Sequence, residues 1–235
     1  MKNQYFGDVN DYRKYGLLRI LSGGGEVSTG VCWMLTPSDG RGDGAFVRYL
    51  EQPHRWRGFD QDLYDFLVRH VREGGERDVR LIERSELLPA TLFHTSLLDD
   101  SPIGRGKYFR EMLERFRGVD LIFFDPDNGF EVKSKPYGRK ESSKFLYWRE
   151  VYDSYSAGHS LLVYQHFARE RRDAFIERIA NKLLSLTNAT AIYSFRTPHV
   201  VFFLAARPEH EETFHRQAAK TALTWEGQIS VQRHI

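Results

Sequence analysis

The sequence predicts an α/β fold: a mostly parallel sheet of about seven strands, with helices on both faces and an antiparallel hairpin near the end of the chain. Three observations predict it. Short apolar runs alternate with stretches of helical spacing, the pattern of strand–helix–strand crossovers. One run, 119–124 (Val-Asp-Leu-Ile-Phe-Phe), stops at Asp125-Pro126-Asp127-Asn128-Gly129, as a strand buried on both faces does when it meets a turn. The last two runs, 190–195 and 200–205, are joined only by Arg196-Thr197-Pro198-His199, a link too short for a parallel crossover.

Each element follows in order. Residues 8–21 read as a helix, with Asp8 as its cap and Val9, Tyr12, Leu17, Leu18 and Leu21 near one stripe. Gly23, Gly24 and Gly25 end it. A first buried strand is expected over 30–35, running into the glycine-rich loop Thr36-Pro37-Ser38-Asp39-Gly40-Arg41-Gly42-Asp43-Gly44. A helix is expected over 60–71, a short strand over 78–82 with Glu83 at its carboxyl end, and a strand over 91–95 followed by Ser96. Helix 107–116 leads into strand 119–124. The polar, basic segment 131–145 reads as a mobile loop. A helix through 150–155, a strand over 160–164 ending in Gln165-His166-Phe167, and a long helix over 169–186 precede the hairpin. A terminal helix is expected over 208–220.

Composition narrows the function classes. With 41% hydrophobic and 28% charged residues, the 235-residue chain has the balance of a soluble globular protein. A net charge of +2 gives no global basic field, so any nucleic-acid contact must come from local patches such as Lys133, Lys135, Arg139 and Lys140. Cys32 is the one cysteine, which rules out an intrachain disulfide and suits a reducing compartment. No apolar stretch approaches the ~18 residues of a membrane span, and the first residues lack the apolar core of a signal peptide. A cytoplasmic protein is expected. There is no His/Cys spacing of a zinc site and no Gly-x-Ser-x-Gly elbow.

The order of motifs resembles a known family. Gly7-Asp8-x-x-Asp11-x-x-Lys14-Tyr15 stands where one group of enzymes carries Gly-Asn-x-x-Asp-x-x-Lys-His. Leu35-Thr36-Pro37-Ser38-Asp39-Gly40 stands where they have Asp-Thr-His-Ala-Gly, and Asp125-Pro126-Asp127-Asn128 where they have Asp-Pro-Pro-Tyr. These are the bacterial 23S ribosomal-RNA adenine-N6 methyltransferases, within the class I, Rossmann-like S-adenosylmethionine-dependent methyltransferases. The layout spans nearly the whole chain, and the Asp-Pro pair is its one specific match. The resemblance implies a three-layer sandwich formed by one methyltransferase-like domain over 1–235, with 1–25 as a helical extension packing on the site.

It also implies chemistry. The lone pair of an exocyclic adenine amine is delocalised, so a carboxylate and a carbonyl must orient it toward the sulfonium methyl of S-adenosylmethionine. Asp125 and the Pro126 carbonyl take that role, with Asp127 and Asn128 beside them. By position, Lys14, Tyr15, Thr36 and Pro37 border the methionine part of the cofactor, Asp39 and Gly40 its approach, Glu83 its ribose and Ser96 its adenine. Tyr5, Phe130, Tyr164 and His166 are the candidates for contact with an RNA or DNA substrate. Asn128 stands where the family has an aromatic ring. That departure leaves two alternatives: a non-catalytic nucleic-acid or protein binding module on the same scaffold, and a Mg-dependent nuclease read from Pro126-Asp127 with Glu131-Val132-Lys133.

Overall fold

The computed structural model describes residues 1–38 and 46–234. The central sheet contains β1 (Thr29–Cys32), β2 (Thr91–His94), β3 (Leu121–Phe124), β6 (Ser160–His166), β7 (Ala191–Arg196), β8 (Val200–Ala206) and β9 (Ser230–Arg233), in the spatial order β2-β1-β3-β6-β8-β7-β9. Two short strands outside it, β4 (Gly129–Phe130) and β5 (Phe145–Leu146), pair with each other. The first four strands in spatial order are parallel, and β8 lies antiparallel between β6 and β7. This is a Rossmann-like α/β sandwich with the expected hairpin.

Alternation along the strands builds the two cores. Val31, Leu121, Phe123, Leu162 and Tyr164 face one side, where they meet α1 (Val9–Leu21), α3 (Gln61–Leu67) and α8 (Glu211–Thr224). Cys32, Ile122, Phe124, Leu161 and Val163 face the other, against α5 (Pro102–Arg115), α6 (Trp148–Ser156) and α7 (Arg172–Thr187). Two further short helices, α2 (Pro53–Trp56) and α4 (Arg80–Glu83), lie in the connections around α3. Helix α1 approaches Trp225 so closely that a Cβ at Gly16 would sit 2.0 Å from the indole Cζ2.

Four expectations change. The first strand ends at Cys32, because Met34 turns into the left-handed region at φ 47°, and Leu35 keeps only an isolated bridge to Leu97. Residues 78–82 form no strand: Val79 and Ile82, both buried, are three apart, and the chain closes a helical turn as α4. The 131–145 segment is pinned. Asp100 accepts from the amides of Glu141 and Ser143, and the buried Arg105 donates to the Ser142 and Phe145 carbonyls while pairing with Glu150 at 2.5 Å. The polar β9 adds an unforeseen edge strand on β7, where cross-strand pairing outweighs its weak apolar signal. Among the described residues, no helix is long and apolar enough to cross a membrane.

Candidate functional site

The strand order reverses at β1: the chain passes to β2 on one side and returns to β3 on the other. Such a reversal opens a crevice at the carboxyl ends of the strands. Here a cleft of about 350 Å³ lies beyond β3 and β6, with the first turns of α1 as its other wall. Asp8, Asn10, Asp11 and Lys14 line it from α1, Asp125, Pro126, Asp127 and Asn128 from the end of β3, and Tyr164 and His166 from β6.

Local sequence explains the α1 wall. Asp8 caps the helix by accepting from the amides of Asn10 (2.7 Å) and Asp11 (3.0 Å). Asp11 and Lys14 then follow at three-residue intervals, so all three point to one face. Lys14 Nζ lies 2.6 Å from Asp11 Oδ1 and 2.7 Å from Asp125 Oδ2, with all three side chains buried. Burial opposes the charge on Lys14, and the two carboxylates outweigh it, raising its pKa. Burial pushes the Asp125 carboxyl up against the pull of Lys14. Burial, and then the like charge of Asp11, raise Asp8 to about 7. His166, exposed at the end of β6, is pushed down, first by desolvation from the surrounding cleft and then by Lys14.

The β3 wall is fixed from several directions. Thr36 Oγ1 donates to Asp127 Oδ2 at 2.9 Å, and the Met1 amino group lies 2.7 Å from Asp127 Oδ1. Burial opposes ionisation of Asp127, but these two partners outweigh it and lower its pKa. Gly129 turns at φ 110°, where a Cβ would lie 2.2 Å from Gln165 Oε1; that oxygen accepts the Phe130 amide at 2.7 Å. Asn128 is exposed at the rim. Tyr164 Oη and His166 Nε2 are 3.2 Å apart, and the Lys14 ammonium lies 5.1 Å from the centroid of the Tyr164 ring.

The candidates from sequence divide accordingly. Lys14, Tyr5, Asp125, Pro126, Asp127, Asn128, Tyr164 and His166 share the cleft, and Thr36 supports it through Asp127. Tyr15 does not reach the cleft: it is fully buried behind Asp11, to which its hydroxyl donates. Phe130 is no base-stacking surface, because its ring packs on Trp148 at 4.4 Å. Glu83 is not at a strand's carboxyl end. It accepts from the Trp33 indole at 2.7 Å and lines a depression with Ser28, Ala90 and Val119, residues that precede β1, β2 and β3. Pro37 and Ser96 are exposed and outside the cleft wall, and Asp39 and Gly40 lie outside the described residues. Of the nuclease pattern, Asp127 lines the cleft, while Glu131 lies outside its wall and its Oε1 accepts from the Trp148 amide at the start of α6 at 2.9 Å.

From the sequence, Asp8 has only a capping role and Asp11 none beyond its place in the motif, although their spacing with Lys14 carries the signal. Lys2, Asn10, Phe46 and Lys144 were missed, and for Phe46 and Lys144 no local pattern marks them.

No protein-family model matches the chain, and no curated protein matches it. Among solved structures, it is similar to a protein from Legionella pneumophila str. Philadelphia 1, described by the family model DUF519, at 12% identity over 97% of this chain and 96% of that one, with a TM-score of 0.49.

Proposed function

We propose that the protein is an S-adenosylmethionine-dependent methyltransferase acting on an exocyclic amine of a nucleic-acid base, adenine N6 by the resemblance in layout. The observation that carries this reading is the buried Asp11–Lys14–Asp125 relay, which joins α1 to the Asp-Pro turn at the sheet's reversal point. The cleft volume falls within the range of small-molecule sites, roughly 300–1,000 Å³. Its wall carries both signs of charge, as a zwitterionic amino-acid moiety with a neighbouring sulfonium requires. Lys14 and Asp11 would hold the amino-acid end. When bound, the cofactor supplies an electrophilic methyl group.

This chain's residues do the rest. The Pro126 carbonyl and the Asp127 carboxylate accept from the amine and orient it, while Lys14 fixes the position of Asp125 behind them. Asp8, held near 7, is suited to take up the amine's proton near neutral pH.

Calorimetric titration with S-adenosylmethionine and its demethylated product tests the reading. Binding of both, followed by methyl incorporation into RNA or DNA, is expected. No heat with either, together with retained oligonucleotide binding, would replace it with the non-catalytic binding module.

A further inference from the structure

An acceptor base needs a flat surface, and the positions expected to supply one do not. Asn128 has no ring, and Phe130 is sealed against Trp148. Among the aromatic residues of the cleft, Tyr164 is buried with the Lys14 ammonium near its ring, and Tyr5 has the Lys2 ammonium 5.6 Å from its ring centroid. Phe46 differs: it lines the same cleft and is 70% exposed. A phenyl ring left this open in water gives up the stabilisation that burial would bring. Its backbone is anchored, since its carbonyl accepts the Val9 amide at 3.1 Å, one residue from Asp8. Its ring lies within 8° of parallel to the His199 imidazole, with centroids 6.5 Å apart.

We propose that Phe46, backed by His199, is the platform on which the planar acceptor base stacks, replacing the ring missing at Asn128. The assignment rests on reading the cleft as a base-methylating site. It makes the substrate a base displaced from its neighbours, in a single strand or flipped from a duplex. It makes stacking, rather than base-edge hydrogen bonding alone, the source of discrimination against aliphatic amines.

The test uses short single-stranded oligonucleotides carrying 2-aminopurine, in ribose and deoxyribose forms, with abasic counterparts, titrated against the full chain. Wild-type protein is expected to perturb 2-aminopurine fluorescence and to prefer the base-containing strand. Phe46→Ala should weaken that binding about 10- to 100-fold and leave abasic binding unchanged, while Phe46→Trp should preserve it. The sugar arms decide between RNA and DNA. No preference for the base-containing strand in the wild type, or equal losses on both strands in Phe46→Ala, would overturn the platform. Calorimetry with S-adenosylmethionine is independent of this result. A stacking signature without cofactor binding sinks methyl transfer and keeps Phe46, and cofactor binding with Phe46-independent base binding does the reverse.

Discussion

Lys14 and Asp125 meet at 2.7 Å although 111 residues separate them, and both side chains are buried. This contact ties the first helix to the turn that follows β3. It also constrains how Asp125 can be studied, because removing either partner strands a charge in the interior.

Lys14→Met should therefore destabilise the protein by about 3–5 kcal/mol, since Asp11 and Asp125 lose their shared cation. Urea denaturation measures this. A loss below about 1 kcal/mol would mean that the carboxylates find water or another partner.

Asp125→Asn is the better probe of the reaction than Asp125→Ala, because it keeps the volume and a hydrogen-bonding oxygen. If Asp125 shapes the field around the transferring methyl, turnover should fall by about 100-fold or more with cofactor affinity little changed. Stopped assays combined with calorimetry separate the two, and a mutant with near-native turnover would remove Asp125 from the mechanism.

Asp8 links stability to pH. Its carboxyl is raised from 3.8 to about 7 on folding, so the folded state binds the proton more tightly. Between those values, the unfolded chain has lost that proton while the folded one retains it. Stability from this group is thus fully present below 3.8 and falls as pH rises through about 7. Asn also caps helices well, so Asp8→Asn should fold. The difference in unfolding free energy between wild type and mutant should shift toward the mutant by a few kcal/mol from pH 4 to pH 8. A pH-independent difference would refute the shift. A methyl-transfer assay should also lose its acidic limb near 7 in this mutant.

Arg105→Met should release the 131–146 segment. Arg105 is fully buried and donates to Ser142, Phe145 and Glu150, so its loss strips the buried Glu150 of its cation, leaving it only the Tyr147 amide, and leaves two carbonyls without this donor, at about 3–5 kcal/mol. Hydrogen exchange should rise first across β5 and the turn before it. Uniform exchange with no local increase would show that the segment is held by other contacts.

Glu83→Gln should leave S-adenosylmethionine affinity within about threefold of wild type, because the side chain serves Trp33 outside the cleft. A tenfold loss would return Glu83 to the site.

The sequence by itself determined the α/β class, the terminal hairpin and the Asp-Pro turn. Apolar runs, crossover spacing and turn formers are local signals, and the period-two faces of β3 and β6 follow from them. It also determined the Asp8–Asp11–Lys14 face, because helical geometry turns spacing into direction. The tertiary structure decided the rest. Whether Val79-Arg80-Leu81-Ile82 became strand or helix depended on what its two buried residues packed against. Whether Phe130 or Phe46 faced the cleft depended on Trp148, a neighbour in space. The polar Ser230–Arg233 strand exists only because β7 offered an open edge. Asp125 became a buried ion-pair partner only when α1 delivered Lys14, and a long-range charge pair leaves no periodicity in the chain.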